Sequence, residues 1–168
     1  FPEVKYSIKG QAERAADSGK RLSIAFLISI ILIMITISLN FKSFYQSRLI
    51  LMVVPIGVFS ALLGHGIVNK PFSTLSIWGV VALIGILVND AIVMLDQFNR
   101  KLAEGKSIKD AVILAGRSRF RAIILTTITT VAGLYPLILE KSFQAQFLIP
   151  MAISVAYGVL FGTIILLF

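Results

Sequence analysis

Five stretches of this chain stay apolar for long enough to matter. They cover about 22–39, 49–68, 77–98, 122–139 and 147–168, with short polar segments between them. A helix needs about 20 apolar residues to cross the roughly 30 Å hydrocarbon core of a bilayer. The pattern therefore predicts five transmembrane helices. The first 20 residues are different. Val4, Tyr6 and Ile8 alternate with Lys5, Ser7 and Lys9, which is the period of a β-strand, and Gly10 ends the alternation. A lone strand is not stable, so its partners are expected outside this sequence. Gln11 to Lys20 is expected to be a polar helix leading into the first span. The predicted fold class is an all-α polytopic membrane helix bundle, with one short interfacial helix and a short N-terminal strand.

Residue types within the spans refine this picture. Pro55 removes a hydrogen bond from the second span and predicts a bend. Gly57, Ala61, Gly64 and Gly66 in that span are small enough for close helix approach. His65 reads as a packed or interfacial residue. In the fourth span Gly133 and Pro136 follow four threonines, and Pro136 predicts a kink. In the fifth, Ser154, Gly158 and Gly162 recur four apart as a packing stripe. The polar segment from Asn99 to Arg121 reads as a loop. Within it, Ser107 and Asp110 resemble a capping box. Ile108, Ala111, Val112 and Ala115 then recur at helical spacing, predicting an interfacial helix over about 107–117.

Composition agrees with a membrane protein. The chain is 57% hydrophobic and only 14% charged, with a mean hydropathy of +0.92. Its net charge of +8 does not describe a nucleic-acid surface, because the basic residues sit at span ends and in one loop. There they act as topology signals and contacts to anionic lipid. Lys42, Arg48, Arg100, Lys101, Lys106, Lys109, Arg117, Arg119 and Arg121 lie on one side, against Lys70 and Lys141 on the other. The positive-inside rule puts the first group in the cytoplasm. With no cysteine, disulfides, thiolate metal sites and cysteine catalysis are excluded. The chain opens on Phe-Pro and stops inside an apolar run, so it reads as part of a longer protein.

Few polar residues lie at membrane depth. Asp90 sits about 8 residues, or about 12 Å, inside the charged end near Phe98. A carboxylate there costs a few kcal/mol unless it meets other helices or water, so it is either functional or helix glue. Asn89 and Asp96 share a helix face, with Asp90 about 100° away from Asn89. Asp96 can pair with Arg100 at i+4. Arg119 and Thr126 are seven apart on one face, and Thr126 reaches nearly the depth of Asp90. Asn89, Asp90, Arg119 and Thr126 thus offer one titratable acid, one fixed cation and two neutral hydrogen-bonding groups, as a proton relay requires. No catalytic site and no metal site is expected. Asp90 and Asp96 share one helix, which excludes a facing aspartyl pair, and no phosphate loop, HExxH or nucleophile elbow occurs.

Several segments, in their order and spacing, resemble the resistance–nodulation–division (RND) efflux pumps of the AcrB-like multidrug family. The resemblance is to the last five spans of the C-terminal membrane half. Val53-Val54-Pro55-Ile56-Gly57-Val58 with Ala61-Leu62-Leu63 is similar to VVPLGV…ALL. Gly85 with Ala91-Ile92-Val93 fits IGL…NAIL. Arg117 to Thr127 is similar to RMRLRPILMTS, and Gly133 with Pro136-Leu137 fits GVxPL. The resemblance implies a multi-pass, proton-driven drug antiporter of the bacterial inner membrane, with no cofactor beyond the proton gradient. It implies a homotrimer working with a periplasmic adaptor and an outer-membrane channel. Residues 1–20 would then hold the end of a periplasmic porter domain and the lead-in helix, and 21–168 would belong to the transmembrane domain. It places Arg119 and Thr126 in a proton relay whose carboxylates lie on a span of the other half. Drug exporters carry Lys-Asn where this chain has Asn89-Asp90, and Pro where it has Ala122. Relatives exporting metal ions or lipids are the alternative, and a membrane scaffold without coupling is the alternative outside transport.

Overall fold

The computed structural model describes residues 11–167, and these are helical almost throughout. Six helices follow one another: α1 (Gln11–Phe41), α2 (Phe44–Leu51), α3 (Val53–Val68), α4 (Thr74–Ala103), α5 (Ile108–Leu139) and α6 (Phe143–Leu167). Five segments are long and apolar enough to cross a membrane: Gly19–Phe41, Phe44–Val68, Thr74–Ala103, Ile108–Leu139 and Phe143–Leu167. The all-α bundle expected from span lengths is therefore present. No strand occurs among the described residues, and the strand expected over 4–9 lies outside them. The chain divides into two units, Phe1–Ser47 and Arg48–Phe168.

In the first unit, α1 carries both the expected lead-in helix and the first span without a break. Ser23, Ser29 and Thr36 donate their hydroxyls to the carbonyls of Gly19, Ala25 and Leu32 at 2.8–3.0 Å. This hides hydroxyl groups that hydrocarbon cannot hydrogen-bond. The polar turn expected over 40–47 is shorter than its composition suggests. Lys42 adopts a left-handed conformation (φ 50°) and ends α1, and α2 already begins at Phe44. Ser38 Oγ donates to Ser47 Oγ across the turn, 2.8 Å.

In the second unit, α6 packs against α3, α4 and α5, while α4 also packs against α3 and α5. The core is thus centred on α6, which is why that helix is apolar all round its circumference. Small residues set its close approaches. A Cβ placed on Gly158 would run into the Leu83 side chain, and one on Gly162 would lie 2.8 Å from Leu87 Cδ1. The Ser154–Gly158–Gly162 stripe therefore receives α4, with Ser154 against Gly79. Residue numbers rise together along this contact, so α4 and α6 run parallel. Gly57 lies against Leu87, and Gly64 against Tyr157, so α3 runs antiparallel to both.

Three expectations about boundaries are corrected. The second span is not one unbroken helix, because it divides at Met52 just ahead of Pro55. Pro55 stands in the first turn of α3, where its missing N–H has no partner to lose. Its ring opposes continuation of helix from Leu51, four residues earlier, and α2 stops at Leu51 with Met52 as the joint. The Asn99–Arg121 loop is reduced to 104–107. Charge made it look solvated, but α4 continues to Ala103, supported by Asp96–Arg100 (3.0 Å) and Lys101–Glu104 (2.8 Å) ion pairs. Gly105, at φ 80°, turns the chain. The interfacial helix expected over about 107–117 is not a separate element. Ser107 is the N-cap as expected, accepting the Asp110 N–H, but the helix then runs on to Leu139. Arg117 to Arg121 contain neither glycine nor proline, and Ala122 keeps the N–H that proline would remove. At 32 residues α5 is about 48 Å long, so its first turns project beyond a 30 Å core. Pro136 is exposed and the helix passes through it.

The end opposite the basic cluster is closed by specific hydrogen bonds. Asn69 (φ 53°) ends α3, and the Lys70 N–H reaches the His65 carbonyl at 3.1 Å. Ser73 and Ser76 cap α4 reciprocally. His65 is buried as expected: Nδ1 lies 3.0 Å from the Ala61 carbonyl and Nε2 2.8 Å from Ser76 Oγ. A carbonyl only accepts, so Nδ1 carries a proton, and in the neutral ring Ser76 donates to Nε2. Between α5 and α6, the Glu140 carboxylate accepts the N–H groups of Ser142 (3.0 Å) and Lys141 (2.9 Å). These bonds hold its carboxyl below the usual range. Their support for the turn is present above that range and is lost as pH falls through it. Orientation in the membrane is testable at these ends. A cysteine at Ser107 is expected to react only with reagents reaching the cytoplasmic face, and one at Ser142 only from the outer face. Labelling of Ser107 from outside would reverse the topology.

Candidate proton-coupling site

The packing register places the polar residues by depth. Leu87 of α4 lies against Gly162 of α6 and Gly57 of α3. One residue along α6, Thr163 hydrogen-bonds Thr127 of α5, Oγ1 to Oγ1, at 3.0 Å with both groups buried. These residues form one layer across all four helices. Asp90 stands about one turn, roughly 4.5 Å, from that layer towards the basic end. Its side chain is on the packed side of α4, beside the buried arc of Leu83, Ile84, Leu87, Val88 and Ala91, and the residue is only 8% exposed. The Oδ2 atom is shielded from solvent and has no hydrogen-bond partner. A buried polar atom left unpaired costs about 1–3 kcal/mol, more if charged. Such groups persist where the environment changes during function or where a partner comes from elsewhere.

The neighbouring candidates fall on different faces. Asn89, about 100° round the helix from Asp90, is exposed. Arg119 is half-buried, and its Nε is both shielded and unpartnered. Thr126 is exposed and donates to the Ile123 carbonyl at 2.9 Å. Among the described residues no ion pair joins Asp90 to Arg119, so the expected four-residue constellation is not assembled within this chain. Thr127, which is not one of those four residues, links α5 to α6. Its signal was the i+4 series Ala111, Ala115, Ile123 and Thr127, all of them buried. Arg119 falls in that series, which accounts for its shielded Nε. Interhelical hydroxyl bonds of this type contribute about 0.6 kcal/mol on average.

The sequence profile of the AcrB/AcrD/AcrF family matches residues 1–168. The chain belongs to that family. It is 31% identical to the multidrug resistance protein MdtC of Proteus mirabilis and 31% identical to the swarming motility protein SwrC of Bacillus subtilis. Each match covers 98% of this chain and 16% of the relative. The chain therefore spans about a sixth of the length of these relatives. Among solved structures, a heavy metal efflux pump superposes with a TM-score of 0.84 at 27% identity, covering 99% of this chain and 17% of that one. The five spans and this membership identify a multi-pass segment of the membrane domain of an RND transporter. Within that domain the two unpartnered polar atoms, Asp90 Oδ2 and Arg119 Nε, gain meaning. They stand in a segment that covers about a sixth of the relatives' length.

Proposed function

We propose that this segment belongs to a proton-driven RND efflux transporter, a drug–proton antiporter, and that Asp90 is its titrating group here. The observation that carries this reading is the shielded, unpartnered Oδ2 of Asp90 at membrane depth. A carboxyl group that gains and loses a proton as helices move needs such a position, close to packed elements and free of a permanent partner. Arg119 supplies the fixed positive charge. Asn89 and Thr126 are exposed and are available to the remaining helices of the transporter. The working protein is a homotrimer of the bacterial inner membrane, coupled to a periplasmic adaptor and an outer-membrane channel, with the proton gradient as its only energy source. The similarity to a heavy metal efflux pump favours metal-ion export as the second reading.

Proteoliposomes holding the full-length protein separate these readings. An imposed proton gradient is expected to drive efflux of a hydrophobic dye, and collapse of the gradient to stop it. Gradient-driven movement of Zn²⁺ or Cu⁺ without dye would select the metal reading. Gradient-independent flux of both would remove proton coupling. Arg119→Ala is expected to impair transport several-fold more than Arg121→Ala, because Arg119 is half-buried in the i+4 series while Arg121 is exposed. Equal losses at matched expression would remove the reason to single out Arg119.

A further inference from the structure

A cavity of about 290 Å³ opens at the basic end of the second unit, lined by Leu49, Ile50, Val53, Ala91, Met94, Leu95, Phe98, Val112, Ala115 and Leu166. Every lining side chain is apolar. The cavity exists because α3 and α5 both pack on α4 and α6 but not on each other. Ile50, Val53, Ala91 and Ala115 are buried and form the floor, whereas Leu49 and Val112 are 48% and 49% exposed and flank the mouth. The volume is at the lower end of the range for ligand sites, about 300–1,000 Å³. Its depth is informative. Ala91 to Phe98 lie about 26–36 Å along α4 from Thr74, where a 30 Å hydrocarbon core gives way to headgroups.

The charges that flank the mouth outside ion pairs, Arg48 and Lys109, have one sign. Arg48 immediately precedes Leu49. Lys109 precedes Val112 by one turn on the same helix face. Both are exposed. Apart from Asp90, one residue deeper than the lining residue Ala91, the nearby carboxylates are already engaged: Asp96 with Arg100, Glu104 with Lys101, and Asp110 with the Ser107 hydroxyl at 2.7 Å. The ion pairs among the described residues involve neither Arg48 nor Lys109. An apolar slot at the membrane boundary beside two such cations matches an amphiphile with a hydrocarbon tail and an anionic head. We infer that this cleft binds an anionic phospholipid of the cytoplasmic leaflet, with an acyl chain in the slot and the headgroup on Arg48 and Lys109. The inference rests on the orientation given by loop charge and does not require proton coupling.

The test uses the full-length protein in bilayers containing phosphatidylglycerol with a photoactivatable diazirine on one acyl chain. Phosphatidylcholine with the same chain is the comparison. Cross-linked peptides carrying Met94 to Phe98 and Val112 to Ala115 are expected, with phosphatidylglycerol labelling several-fold above phosphatidylcholine. Val112→Trp, or Leu49→Trp from the opposite wall, is expected to lower labelling by both lipids at least fivefold at an unchanged melting temperature. Arg48→Ala with Lys109→Ala is expected to reduce phosphatidylglycerol labelling to the phosphatidylcholine level. Equal labelling by the two lipids in the unaltered protein would overturn the anionic headgroup assignment. Absence of label from both peptides would mean that another segment of the protein fills the cleft, and would overturn the site.

Discussion

Asp90→Asn in the full-length transporter is expected to lower proton-driven efflux at least about tenfold while insertion and folding stay normal. Asparagine keeps the size of the side chain and its capacity to hydrogen-bond, but it cannot take up or release a proton. The substitution therefore isolates titration from packing. Asp90 is 8% exposed, with Oδ2 unpartnered, and a buried polar atom left unpaired costs about 1–3 kcal/mol, more if charged. An acid kept at that cost for packing alone would be served equally by asparagine. Under that rival account Asp90→Asn pumps nearly as well as the native protein, and only Asp90→Leu is less stable. The measurement is efflux at matched insertion across pH 6 to 8. Near-native rates for Asp90→Asn throughout would leave Asp90 a packing residue.

The positions of the spans were legible in the sequence here, but the directions of their side chains were not. The lengths of the apolar runs and their polar boundaries located all five spans, because a bilayer imposes a length on any helix that crosses it. Ser154, Gly158 and Gly162 were legible as a packing stripe, since four-residue spacing puts small residues on one face. Their partner could not be read. Only the three-dimensional register shows that Leu83 and Leu87 fill the space they leave. The continuity of α5 was hidden by the charges of Arg117, Arg119 and Arg121, which end a hydrophobic run without ending a helix. The threonines show a related limit. Thr126 and Thr127 are adjacent, and a seven-residue count from Arg119 selected the exposed one. Helices that cross at an angle follow the i+4 series over a few turns, and that series leads to Thr127. Asn89 and Thr126 are exposed, so burial within the described residues could not have marked them.

Gly79→Ala is expected to be among the most destabilising small substitutions in the second unit, and more costly than Gly57→Ala. Both glycines are buried at helix contacts, so burial alone does not distinguish them. What each Cβ would meet does. On Gly57 it would lie 3.1 Å from Leu87 Cδ1, the tip of a side chain that can rotate away. On Gly79 it would lie 2.6 Å from the Met151 carbonyl oxygen, 3.1 Å from Met151 Cα and 2.8 Å from Ser154 Cβ. Backbone atoms have no rotamer to change, so α4 and α6 must separate. Overpacking costs typically about 1–3 kcal/mol, and a clash with backbone belongs at the upper end. Thermal unfolding of the full-length protein in detergent is the check, with the Gly79→Ala midpoint expected several degrees below that of Gly57→Ala. Transport should fall as well, because Asp90 lies about three turns along α4 from Gly79 and moves with the helix. Equal midpoints would show that the α4–α6 contact is loose enough to admit a methyl group. The parallel register that positions Asp90 would then have to be held elsewhere, by Gly158 and Gly162 against Leu83 and Leu87.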